Sequence, residues 1–109
     1  MDAQIKKGSL EICILLILRQ RDCYGYEVSQ EIGDLLDVKE GTIYLVLQRL
    51  EKTGYVESYL QASDSNKVRK YYKINDLGNQ RANELISDYQ KINNIIQIFL
   101  NNYGGMANG

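Results

Sequence analysis

The chain has 109 residues, 44% of them hydrophobic and 25% charged, a balance that suits one folded domain and excludes a disordered or fibrous chain. A formal net charge of −1 excludes a protein that coats nucleic acid by bulk charge. The absence of histidine removes the imidazole base of the usual catalytic triads and the usual zinc-ligand spacings, so neither catalysis nor a metal or other cofactor is expected.

The first element is a helix from about Ser9, its N-cap, to Arg21, apolar on nearly all sides. Its longest apolar run, Ile12 to Leu18, is seven residues, where a membrane span needs roughly 20. Arg19-Gln20-Arg21-Asp22 follow that run in place of a signal-peptide cleavage site, so a cytoplasmic protein without membrane contact is the simplest reading. So apolar a helix must be wrapped by neighbouring elements or by a second subunit, and Leu10, Ile14 and Ile17 are assigned to a subunit interface. Cys13 lies inside the run and is expected to be a buried packing residue. Cys23, at the helix boundary, is the cysteine better placed for an exposed redox thiol, although an ordinary thiol is the default.

A second helix is expected from Tyr24 or Gly25 to Leu36, with Tyr26, Val28, Ile32, Leu35 and Leu36 forming its apolar stripe. Asp22 to Asp37 holds five acids (Asp22, Glu27, Glu31, Asp34 and Asp37) and no base. After a polar break at residues 37–41, a third helix near Thr42 to Thr53 points Ile43, Val46, Leu47 and Leu50 inward and ends at Gly54. The period then changes: Tyr55 to Leu60 and Val68 to Ile74 are β-rich runs joined by turn chemistry at Ala62 to Asn66, which together read as a hairpin. Asn75-Asp76 caps a last helix running to about Tyr103, roughly 42 Å long at 1.5 Å per residue. Along it Ala82, Leu85, Tyr89, Ile92, Ile96, Phe99 and Tyr103 follow an unbroken heptad spacing, a seam that asks for a second helix.

This order gives an α+β fold, mainly α: a winged helix-turn-helix of three helices and a β-hairpin wing over residues 1–74, a dimerisation helix over 75–103 and a flexible tail over 104–109. In that layout the third helix enters the major groove and the wing touches backbone. The outward residues of the third helix are Thr42, Tyr44, Leu45, Gln48, Arg49 and Lys52. Lys39, Gly41 and Thr42 form a phosphate seat at its start, and Gln48 is suited to reading adenine. In the hairpin, Lys67, Arg69, Lys70 and Lys73 neutralise phosphates or, in the blander reading, protect an edge strand from aggregation. The expected partners are double-stranded DNA with a pseudo-palindromic operator and a second copy of the chain, joined through Leu85, Tyr89, Ile92, Ile96, Phe99 and Tyr103. The competing reading is a winged-helix adaptor that binds protein and no DNA.

Ordered short motifs add a resemblance. Tyr24-Gly25-Tyr26-Glu27, Gly41-Thr42-Ile43-Tyr44, Arg49-Leu50-Glu51-Lys52-Thr53-Gly54 and Arg69-Lys70-Tyr71-Tyr72, followed by Leu77-Gly78, together resemble the PadR family of bacterial transcriptional regulators. The resemblance covers about residues 10 to 80. It implies that Thr42 and Tyr44 contact DNA, that Lys70 lies in the wing near the minor groove, and that Tyr72 is packed. The single last helix is similar to the short PadR subgroup, whose members dimerise through it and the first helix. The same resemblance implies a repressor that releases DNA on sensing a small molecule or stress. The chain departs from the family pattern at Leu45, where members usually carry proline, and in having no tryptophan with which to stack flat drugs at a dimer centre. Tyr89, Phe99 and Tyr103 are read as packing residues instead.

Overall fold

The first helix begins earlier than its apolar run. Asp2 accepts hydrogen bonds from the amides of Gln4 and Ile5 at 2.9 and 3.2 Å, and this N-cap, rather than Ser9, starts α1 (Ala3–Gln20). The remaining elements of the computed structural model, which describes residues 1–33 and 35–106, are β1 (Cys23–Tyr24), α2 (Gly25–Ile32), α3 (Glu40–Lys52), β2 (Val56–Ala62), β3 (Val68–Ile74) and α4 (Asp76–Tyr103). A 3-10 turn over Gly104–Met106 follows α4; the rest of the expected tail, 107–109, lies outside the described residues, as does Asp34.

α2 is shorter than its apolar stripe suggested. It stops at Ile32 because Gly33, at φ +49°, takes a left-handed backbone that glycine adopts without strain. Leu35, expected on the buried stripe, is 86% exposed, and Tyr26 is exposed as well. α3 ends as expected around Gly54, whose φ of +88° lets the Gly54 amide reach the Glu51 carbonyl and the Tyr55 amide reach that of Leu50. This paired closure satisfies two carbonyls that the helix end would otherwise leave open.

The sheet has three antiparallel strands in the order β1-β3-β2, and the two-residue β1 is an addition to the expected hairpin. Cys23 and Ser58 both oppose Tyr72, and Tyr24 and Tyr59 both oppose Tyr71. Because side chains alternate along a strand, Cys23, Val56 and Tyr72 face inward and are buried. Tyr24, Tyr59 and Tyr71 share the outer face, with ring centroids 5.4 and 5.6 Å apart. Tyr72 is therefore packed, as the resemblance implied.

Cys13 is less covered than expected, and Cys23 does not stand exposed as a redox thiol would. Cys23 is fully buried beneath the sheet, and Cys13 is only half-buried on α1. Burial pushes both thiols above their ordinary value, which leaves less thiolate to react.

The core gathers Leu10, Ile14, Leu15 and Leu18 of α1 with Val28 and Ile32 of α2 and Ile43, Leu47 and Leu50 of α3. The start of α4 is tied to α1 from the side: Arg19 donates to Asn79 Oδ1, the Asn79 carbonyl and Asn83 Oδ1 at 3.0–3.1 Å, and Arg81 pairs with Glu11 at 3.3 Å. Gly78 is obligatory at this junction, since a Cβ there would meet the Tyr55 carbonyl oxygen at 2.1 Å. Past Ala82, Leu85 and Ile86 the helix leaves the domain, giving overall extents of 63 × 28 × 21 Å.

Candidate nucleic-acid interface

α3 presents two faces as expected. Ile43, Val46, Leu47 and Leu50 are buried, so Thr42, Leu45, Gln48, Arg49 and Lys52 all stand exposed on the opposite side. Helical spacing leaves these polar groups no partner within the domain core. Lys39 is the N-cap and makes no side-chain capping bond, so its ammonium stands exposed ahead of the helix. The first-turn amides and the helix dipole add positive potential at the same place. Glu40 is the opposing element that sequence reasoning missed; its carboxylate lies in that same first turn.

Tyr44 is more constrained than a free contact residue. A Cβ on Gly25 would come within 1.8 Å of Tyr44 Cε1, so the glycine of one motif makes room for the ring of the other. Its hydroxyl donates to Glu40 Oε1 at 2.5 Å. That hydrogen bond, with some burial, pushes the phenol up to about 12. The ring therefore lines the face as a fixed wall, about one-third exposed, with its proton committed to Glu40.

The wing bases do not form one cluster. Strand alternation sends Lys70 toward α3, where its ammonium pairs with Glu51 Oε1 at 3.0 Å and lies 5.3 Å from the Tyr72 ring. Arg69 goes to the other face and sits 4.3 Å over the Tyr24 ring. Lys67 and Lys73 are exposed, and among the described residues neither has a salt bridge. On the same outer face Tyr59 donates to Asp22 Oδ2 at 2.6 Å, which pushes its phenol up to about 12. Lys6 and Lys7, which lie ahead of the expected helix start at Ser9, fall beside Lys39 and Arg49. The helix-compatible stretch Ala3-Gln4-Ile5 behind Asp2 was the signal for them.

The residues assigned to a subunit interface separate into two groups. Leu10 and Ile14 are 2% and 0% exposed inside the chain's own core, so they have no surface to offer a partner. Ile17 and Leu85 are half-buried against that core. Tyr89, Ile92, Ile96, Phe99 and Tyr103 are all exposed, and Ile95 and Leu100 extend their stripe.

Comparison with known proteins agrees with this architecture. Residues 14–84 match the model of the transcriptional regulator PadR-like family, a family of regulators and not of enzymes. A PadR-like transcriptional regulator from Bacillus cereus is 36% identical, with a TM-score of 0.79 over 90% of this chain and 97% of that one. An uncharacterised protein from Lysinibacillus sphaericus is 40% identical over 90% of this chain and 94% of its own length. The Bacillus subtilis PadR solved in complex with operator DNA is 23% identical, with a TM-score of 0.64 over 71% of this chain and 46% of that one, and shares the fold. Among the described residues no helix is long and apolar enough to cross a membrane.

Proposed function

The chain belongs to the PadR-like family of transcriptional regulators, and from that premise we propose that it is a cytoplasmic, dimeric repressor that grips double-stranded DNA with α3 and the wing. The observation that carries the reading is the outer face of α3: four residues of the helix are buried, and Thr42, Gln48 and Arg49 are left exposed beside a hairpin that carries Lys67 and Lys73. A relative of the same fold, the Bacillus subtilis PadR, binds operator DNA. In this role Gln48 reads a base edge, while Lys39, Thr42, Arg49 and Lys67 hold phosphates. Arg69 and Lys70 supply charge from places already shared with Tyr24 and Glu51.

Dimerisation is supported by the bare stripe from Tyr89 to Tyr103, whose spacing suits a second helix better than water. Two copies joined there present recognition helices to half-sites about 34–36 Å apart on a pseudo-palindromic operator. A small-molecule or stress signal that alters this pairing changes the span and releases the duplex.

Titration of a duplex from the gene's own upstream region tests the reading. The expected result is a shift at low salt whose affinity falls roughly a thousandfold or more between 50 and 200 mM salt, as several phosphate contacts require. A folded dimer that shifts no duplex at low salt overturns it in favour of a protein-protein adaptor.

A further inference from the structure

Between the first turns of α1 and the outer side of α3 lies an open cleft of about 440 Å³. Among the described residues its rim carries Lys6, Lys7, Lys39 and Arg49 against one acid, Asp37, an excess of three positive charges on a chain whose net charge is −1. Lys6 is held in place by donating to the Asp37 carbonyl at 3.1 Å. Among the described residues none of the four cations forms a salt bridge. The floor's accessible aliphatic surface comes from Leu45 and Val38, with Leu10 and Val46 buried behind them, and among the described residues no aromatic ring lines it.

A phosphodiester strand accounts for the cations and leaves that floor uncovered. Leu45 sharpens the mismatch: it is 67% exposed on a helix whose outer residues are otherwise mostly polar. An exposed large apolar side chain beside several cations asks for a ligand with both characters. Aliphatic walls without rings suit a flexible chain better than a flat ring system.

We propose that this cleft binds an amphiphilic organic anion, an aliphatic chain ending in a carboxylate, and that its occupancy excludes DNA from the same face. The chain lies along Leu45 and Val38, and the head takes charge-assisted hydrogen bonds from Arg49 and Lys39. The second half of the statement rests on the DNA-binding reading above, because Lys39, Thr42 and Arg49 serve both ligands; the first half does not.

Calorimetry of the DNA-free, full-length protein with hexanoate, octanoate and decanoate, each below micelle formation, is the direct test. Affinity is expected to rise up to about tenfold per two added methylenes until the floor is filled. Arg49→Gln is expected to weaken decanoate about tenfold or more. Leu45→Ala, a surface change, is expected to flatten the dependence on chain length. Backbone amide shifts in NMR should cluster at Lys39, Leu45 and Val46. Affinity independent of chain length, equal binding of decanol or of inorganic phosphate, or shifts confined to the α4 stripe each overturn the site. Where the protein binds a labelled duplex, saturating decanoate should displace it, and a duplex that stays bound overturns the exclusion. A protein that binds decanoate in the cleft but no duplex at any salt leaves the site standing and removes the repressor reading alone.

Discussion

α1 and the outer half of α4 are both strongly apolar, yet the molecule treats them in opposite ways. Ile14 and Leu15 of α1 are fully covered by the chain's own helices and sheet, whereas Ile92, Ile96 and Phe99 of α4 are 50–58% exposed. Periodicity says that a face wants covering, and it is silent about what covers it. The difference lies in the path of the chain: α2, β3 and the start of α4 pack against α1, while the rest of α4 runs outward past the point where the domain ends.

The sharpest way to break this comparison is to cut into each helix. Ile14→Ala is expected to lower the free energy of unfolding by about 2–5 kcal/mol, the usual range for a truncated core residue that leaves a cavity. Urea unfolding at fixed protein concentration checks it, and a cost under half a kilocalorie would mean that α1 is not the centre of the fold. Ile96→Asp is expected to leave the winged domain folded and to weaken self-association by about 2–4 kcal/mol, the scale of a central interface residue. Sedimentation of the wild type as a dimer and of the variant as a monomer, with unchanged near-UV circular dichroism, is the expected pair of results. A variant that stays dimeric would move the interface away from the heptad seam.

The same contrast explains how much of the molecule was legible in its sequence. The inward residues of α3, the hairpin and the full length of α4 follow from spacing alone, because each element's period matches one covered face. Leu10 and Ile14 are covered by the chain itself and not by the expected partner, because a helix apolar on all sides looks alike under either kind of cover. α2 ends short of Leu36 because the helical spacing that Leu35 and Leu36 continue past Gly33 is overridden by the left-handed backbone there. At the DNA face, the outer residues of α3 could be read individually. The Gly25–Tyr44 packing and the tie of Lys70 to Glu51 could not, since both join segments far apart in the chain.

The cysteines extend the comparison to single atoms. Cys23 is covered by the domain and Cys13 only partly, and burial raises both thiols. Maleimide labelling near neutral pH is therefore expected to modify Cys13 first and Cys23 about tenfold more slowly or worse, in step with opening of the fold. Equal rates would show that β1 does not seal Cys23, and rapid labelling of Cys23 would restore its candidacy as a redox thiol.

The smallest effect separates occupied from free charge in the wing. Glu51 accepts from Ser58 Oγ and from the Lys70 ammonium, and these two contacts hold its carboxyl below its ordinary value of 4.5. A depressed carboxyl contributes stability that is fully present above its unfolded value and lost as pH falls through the folded one. Lys70 is raised above 10.5 by the same contact, so its share is present at neutral pH and lost only as strong alkali removes the proton; the two describe one interaction. Both partners are at least one-third exposed, so solvent screening limits the pair to about 1 kcal/mol or less. Glu51→Gln should show that loss at pH 7, and the loss should fade as pH falls below 4.5 and through the lowered folded value, where the wild-type carboxyl becomes protonated too. The same substitution frees the Lys70 ammonium for phosphate, so duplex binding should gain close to one unit of salt slope while the fold loses stability. Binding that weakens along with stability would mean that Glu51 orients the wing, and that the charge on Lys70 was never available to DNA.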